Sequence, residues 1–223
     1  MKKVLASLAV LAMFGFGGYA VGKLVQPAEQ SLGVDLSLIQ EQTVVVHVGE
    51  GHGSGVIFSP DTVITAKHVV QNASEIEIEF KDGVKRTAKV NWADQNADVA
   101  VLKLDVPYQH VKGASLRCET PKVGEELVAV GAPMDGRWVL SWLKASSDRP
   151  WIEDTHYVAT GPLAPGMSGG PLFDRDGMVV GFSKAMFTLR IGWEGFPSDF
   201  VAITSTKEVC RQLAPEVKVV SGT

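Results

Sequence analysis

The chain has 223 residues, of which 45% are hydrophobic and 21% charged, with 23 glycines. That balance suits a globular protein long enough to bury a sizeable core, and it excludes disordered, collagen-like and coiled-coil chains. The 21 basic and 25 acidic residues give a net charge of −4, with no basic stripe interleaved with aromatics, which argues against a nucleic-acid partner.

The charge is unevenly spread. Residues 1–26 carry Lys2, Lys3 and Lys23 and no acid, so the remainder holds 18 basic and 25 acidic residues and stands at −7. Behind the Lys2–Lys3 pair, Val4 to Gly22 is free of charge. A basic start followed by an apolar run is the pattern of an export signal, with Val4–Met13 as the apolar core and Gly18-Tyr19-Ala20 as the small-residue cleavage site. The run is also long enough to span a bilayer, which leaves open an uncleaved anchor and membrane association through residues 4–22. Either way the domain is expected to be exported, to the periplasm or the extracellular space. Export permits a disulfide between the two cysteines, Cys118 and Cys210, although two buried thiols fit equally well. No clustered partners make a metal site of them.

Residues 27–42 continue a polar, mixed stretch and read as a tether. From there the pattern changes to short β-type runs separated by turn residues. Thr43–Val48, Gly55–Phe58, Thr62–Thr65, Glu75–Phe80, Lys85–Trp92 and Val99–Leu104 form a first series. SEIEIEF alternates strictly between apolar and charged residues, which marks a strand with one wet face, and Lys81-Asp82-Gly83 supplies the turn after it.

A second series follows: Glu126–Gly131, Arg137–Lys144, His156–Thr160, Pro171–Asp174, Met178–Ser183 and Phe200–Ile203. Only Thr206–Leu213 reads as a helix. Many short strands at regular spacing, without long amphipathic helices between them, predict an all-β protein of two β-barrels. The boundary falls near Glu119–Gly124, which gives barrels over 43–123 and 124–223, the second with a short C-terminal helix.

The sharpest chemical feature is Gly166-Met167-Ser168-Gly169-Gly170-Pro171. A serine between glycines lets backbone N–H groups approach an incoming carbonyl and stabilise an oxyanion. The same residues satisfy the G-x-S-x-G nucleophile elbow, in which the histidine follows the serine in the chain. The histidines here are His47, His52, His68, His110 and His156, and none follows Ser168, so the elbow fails. His47 lies in an apolar strand run and reads as structural. His52 sits in GEGHGSG, a flexible stretch with nothing to orient it, and His110 and His156 lack a distinctive setting. His68 ends the strand-like TVITA, where a rigid element can deliver a ring to a site. Asp98, just before VAVLKL, would stand at the buried mouth of a strand and could orient such a base. The order His68, Asp98, Ser168 then puts the base and acid in the first series and the nucleophile in the second.

TVITAKHVV, ADVAVLKLD and GMSGGPLFD resemble the three catalytic blocks of trypsin-like, chymotrypsin-fold serine proteases, and most of all the bacterial HtrA/Deg type. GSGVIFSPD, VGEELVAVGAP and DFVAITSTKEVCRQL extend the resemblance from about Val44 to Leu213. It implies two six-stranded antiparallel barrels of the chymotrypsin type, with Ser168 as nucleophile, His68 as general base and acid and Asp98 as the orienting carboxylate. The N–H groups of Gly166, Met167 and Ser168 would form the oxyanion hole. The implied reaction is peptide-bond hydrolysis through an acyl-enzyme on protein or peptide substrates, with no cofactor or metal. A homo-oligomer stays open.

Several positions depart from the pattern. Met167 stands where digestive enzymes carry an aspartate that binds a freed N-terminus, so that mode of activation is not expected, and where the Deg type usually has asparagine. Pro162 replaces the acid that would select Lys or Arg, and with Ser183 and Ala185 in the specificity strand it implies a small or medium apolar preference. Lys184 reads as a solvated lysine. Trp138, Trp142 and Trp151 fall in the segment resembling the activation and substrate loops. Ten residues follow Leu213, so no PDZ domain is expected on this chain. The alternative function is a protease-fold module that holds extended peptides, chaperone-like, without cutting them; an esterase on the same fold shares the chemistry.

Overall fold

Runs such as VAVLKL and ELVAVG are apolar on both faces of a strand, a pattern that needs something buried on each side. The computed structural model, which describes residues 33–151, 155–191 and 194–213, shows what lies there. Six strands, β1 (Thr43–Val48), β2 (Gly51–Ser59), β3 (Thr62–Ala66), β4 (Ile76–Glu79), β5 (Lys85–Asp94) and β6 (Val99–Leu104), close an antiparallel barrel. Six more close a second: β7 (Glu126–Gly131), β8 (Val139–Trp151), β9 (His156–Thr160), β10 (Pro171–Phe173), β11 (Val179–Ile191) and β12 (Glu194–Ser205). Closure pairs every strand on both sides and leaves no open sheet edge.

Period-two alternation divides the side chains between three cores. In β6, Ala100 and Leu102 face the interior of the first barrel, with Val44, Ile57, Val63 and Phe80. Their neighbours Val99 and Val101 face outward, into a layer shared with Val128, Val130, Phe173 and Val179 of the second barrel. In β7, Leu127 and Ala129 turn into the second barrel against Tyr157, Leu172 and Ile203. Each side chain of this size stabilises the fold by roughly 1.5–3 kcal/mol when fully buried. The middle layer fixes one barrel against the other, and the site is assembled along it.

Several elements differ from the sequence reading. The strands β8, β11 and β12 run well past their expected ends, and β2 takes in the GHGSG stretch read as flexible. Part of the stretch read as a tether is a helix, α1 (Leu36–Glu41). Asp35 caps it, its Oδ1 accepting the Ser37 and Leu38 N–H groups at 3.0 and 3.1 Å, and Ile39 reaches the inter-barrel layer. A second short helix, α2 (Lys67–Val70), follows β3 directly. The C-terminal helix α3 (Lys207–Gln212) lies where expected, with Val209 and Cys210 buried in the middle layer. Cys210 is bonded to Cys118, which settles the open choice in favour of a disulfide. The bond ties α3 to the connection between the barrels. Among the described residues no helix is long and apolar enough to cross a membrane; Val4–Gly22 lies outside them.

Candidate active site

Helix α2 has only one turn, and its N-cap residue, Ala66, offers no side-chain acceptor. Its first N–H groups would be orphans. Asp98 supplies both acceptors: its carbonyl takes the Lys67 N–H at 3.1 Å and its Oδ1 takes the His68 N–H at 2.9 Å. The other oxygen, Oδ2, lies 2.8 Å from His68 Nδ1. One aspartate therefore fixes both the backbone and the ring of His68. Asp98 adopts a left-handed φ of 55°, a conformation that aspartate tolerates better than most residues. The preceding turn holds it there, Asp94 Oδ1 accepting the Asn96 and Ala97 N–H groups at 2.8 Å each.

Burial tends to raise the Asp98 pKa, but the hydrogen bond and charge of His68, its backbone N–H and the nearby Lys184 cation outweigh it and hold the carboxyl below its ordinary value. An ionised carboxylate only accepts, so the ring proton sits on Nδ1 and the lone pair on Nε2. Among the described residues His68 Nε2 has no hydrogen-bond partner.

Ser168 comes from the loop between β9 and β10. The next residue, Gly169, has φ 80°, and a Cβ there would collide with Thr65 Oγ1 and Ala66 N at the end of β3. Only glycine lets this loop lie against the start of α2. Ser54 on β2 secures it: its N–H donates to Ser168 O at 2.8 Å, and its hydroxyl donates to Gly166 O at 2.8 Å. The Ser168 hydroxyl itself donates to the carbonyl of Lys184 on β11, at 3.3 Å.

The loop leaves two N–H groups undirected. Pro165 O accepts the Met134 N–H at 2.9 Å, so across that planar peptide the Gly166 N–H points the opposite way. Neither the Gly166 nor the Ser168 N–H finds an acceptor among the described residues. The Met167 N–H, expected as a third free donor, is instead directed to Ala164 O at 3.1 Å. The Met167 side chain is buried in the core of the second barrel.

Beside Ser168 lies a cavity of about 250 Å³ lined mainly by Leu163, Ala164, Met167, Ala185 and Met186, with Ser183 and Lys184 also in its wall. Of the expected specificity residues, Ala185 and Ser183 line it. The Ser183 hydroxyl is taken up by Met167 O and Gly170 O, which makes it a brace of the loop. Pro162 is not in the wall, and its carbonyl accepts the Ser141 hydroxyl. Leu163 and Met186 carry no local sequence signal, because nothing marks a loop leucine or a strand methionine as pocket-facing.

The remaining histidines and tryptophans have other roles. His47 Nε2 pairs with Glu79 at 2.6 Å across β1 and β4. His52 is held by β2, its Nε2 2.8 Å from Ala132 O, contrary to the flexible reading. His110 is exposed near Asp82. Trp138 donates through Nε1 to Thr43 O at 2.9 Å, linking the barrels, and Trp142 is exposed. The Trp151 side chain lies outside those described. Lys184, read as solvated, has its Nζ 2.8 Å from the buried His156 Nε2 and 3.7 Å from Asp98 Oδ2. The described residues hold no cluster of three or more His, Cys, Asp or Glu able to bind a metal ion.

A model of the trypsin-like peptidase domain matches residues 53–182, a span that includes His68, Asp98 and Ser168. The chain belongs to the trypsin-like peptidase family. It is 36% identical over 176 residues to a probable periplasmic serine endoprotease, DegP-like, of Pseudomonas savastanoi, covering 76% of this chain and 36% of that protein. It is 30% identical over 175 residues to serine protease HTRA1B of Danio rerio, covering 74% and 37% of the two chains. The chain thus spans little more than a third of these relatives. Among solved structures, the HtrA-type protease AlgW with a tripeptide superposes with a TM-score of 0.68 at 23% identity, over 81% of this chain and 62% of that one. The Rv3671c protease in its inactive form superposes with a TM-score of 0.65 at 23% identity, over 81% and 91%. At these identities the superpositions show the fold, which is the one the family implies.

Proposed function

We propose that the chain is a serine endopeptidase, exported and acting in the periplasm, that cleaves protein or peptide substrates through an acyl-enzyme. The observation that carries this reading is the double grip of Asp98 on His68, with Nδ1 protonated, beside a loop that offers Ser168 and two undirected N–H groups. His68 Nε2 takes the Ser168 proton as Oγ attacks the scissile carbonyl, and Asp98 stabilises the imidazolium that forms. The Gly166 and Ser168 N–H groups meet the developing oxyanion, each worth a few kcal/mol of transition-state stabilisation. His68 then protonates the leaving amine, and water attacks the acyl-enzyme by the same route in reverse. In the resting site the Ser168 hydroxyl faces Lys184 O and must leave it to reach His68, an adjustment that unliganded sites commonly make when substrate binds. The apolar pocket accepts a small or medium apolar side chain next to the scissile bond.

That resting hydrogen bond also supports a second reading, a peptide-holding module whose serine stays disengaged. Incubation with unfolded casein separates the two. Cleavage by the wild type that disappears in Ser168→Ala supports the protease. Binding of casein without cleavage, equal in both proteins, supports the holding module.

A further inference from the structure

Lys184 touches two members of the proposed triad, and any role it has in catalysis rests on that triad. Its carbonyl accepts the Ser168 hydroxyl, and its Nζ lies 3.7 Å from Asp98 Oδ2, the oxygen that holds His68 Nδ1. The Lys184 side chain is only 26% exposed, so its ammonium has lost much of its water and needs protein partners.

His156 on β9 provides one. This histidine is 2% exposed, with Nε2 2.8 Å from Lys184 Nζ and Nδ1 2.7 Å from Thr155 Oγ1. An ammonium can only donate, so His156 Nε2 presents its lone pair to Lys184, and its proton sits on Nδ1 toward Thr155. His156 thus seats the ammonium beside Asp98. The other ionisable groups close in sequence to the triad face elsewhere: Lys67 on α2 donates to Gln95, and Asp94 accepts from Asn96 and Ala97. Among the described residues, the ion pairs of Asp98 are those to His68 and Lys184.

We propose that Lys184 is a positioning residue that shares Asp98 with His68 and thereby sets the acidic edge of the activity profile. Asp98 stabilises the His68 imidazolium. A fixed cation on the same carboxylate oxygen cancels part of that effect and repels the imidazolium directly. The base then stays unprotonated to lower pH, in exchange for weaker stabilisation of the charge that develops during the reaction. His156 enters as the seat, and Lys184 acts through Asp98 without touching the scissile bond.

The test is the rate of labelling by a fluorophosphonate, which reports nucleophile and base without a peptide substrate, followed from about pH 4 to about pH 9. The 223-residue chain is compared with Lys184→Met, which keeps the stem and removes the charge, and with Lys184→Arg, which keeps the charge. The acidic edge is expected to move up by about half to one pH unit in Lys184→Met and to return toward wild type in Lys184→Arg. Lys184→Gln carries the same prediction as Lys184→Met, should the latter fail to fold. A lower plateau with the edge unmoved would mean that Lys184 only packs, and the proposal is then wrong. Absence of labelling in the folded wild type at every pH would overturn the triad itself, and the role of Lys184 with it.

Discussion

Asp98 does more than orient a ring. Through its carbonyl and Oδ1 it also caps the first backbone N–H groups of α2, while Oδ2 holds the ring, so its loss acts on geometry and on charge together. Asp98→Asn is expected to lower kcat by about 10⁴-fold, because an amide nitrogen facing Nδ1 reverses the tautomer, and steady-state kinetics on a peptide substrate measures it. Much of this is legible in the sequence. The order His68, Asp98, Ser168 and the flanking apolar runs point to a base, an acid and a nucleophile from two strand series. Lys184 and His156 are not legible, because their meaning comes from a contact across β9 and β11, and a lysine after GFS carries no mark of where its Nζ ends. Met167 is only half legible: its backbone position can be assigned, but not that its N–H closes a turn onto Ala164.

Strand existence follows from the period-two pattern, and strand ends do not. β11 and β12 extend because they pair with each other as far as Ile191 and Glu194, and β8 extends beside β9 as far as Trp151, whatever the side chains. Two devices hold the connection between the barrels. The Cys118–Cys210 bond closes a separation of 92 residues, and its removal by Cys118→Ser with Cys210→Ser should cost about 2–4 kcal/mol. Calorimetry should then show Tm lower by about 5–12 °C. Beside it, Arg117 bonds to Glu125 at 2.7 Å and to the buried Asp174 at 2.8 Å. Arg117→Ala leaves the buried Asp174 without a cation, held only by the N–H groups of Asp176 and Met178, and urea unfolding should show a loss of about 3 kcal/mol. A loss below about 0.5 kcal/mol would place that pair with surface contacts that contribute little.

For the molecule as a whole, pH acts mainly through carboxylates such as Asp98 and Glu125, while Asp174, raised by its burial, works in the opposite direction. Burial tends to raise Asp98 and Glu125 too, but their cationic and N–H partners outweigh it, so each of these two has a pKa lower in the folded chain than in the unfolded one. Groups depressed in this way stabilise the fold above about pH 4.3, and that contribution is lost as pH falls through the folded values. Thermal melts should therefore be level from neutral pH down to about pH 5 and then decline. At the N-terminus, intact-mass analysis after expression in a bacterial host separates the two readings: an N-terminus at Val21 marks a cleaved export signal, and a retained Met1 marks the anchor. The proposed mechanism requires Ser168 to be a nucleophile activated by His68 and Asp98. Peptide mapping by mass spectrometry after fluorophosphonate treatment tests this most directly. A single adduct on Ser168, absent from Ser168→Ala and strongly slowed in Asp98→Asn, is the expected result; an unmodified Ser168 in the folded wild type, or an adduct elsewhere, would contradict it.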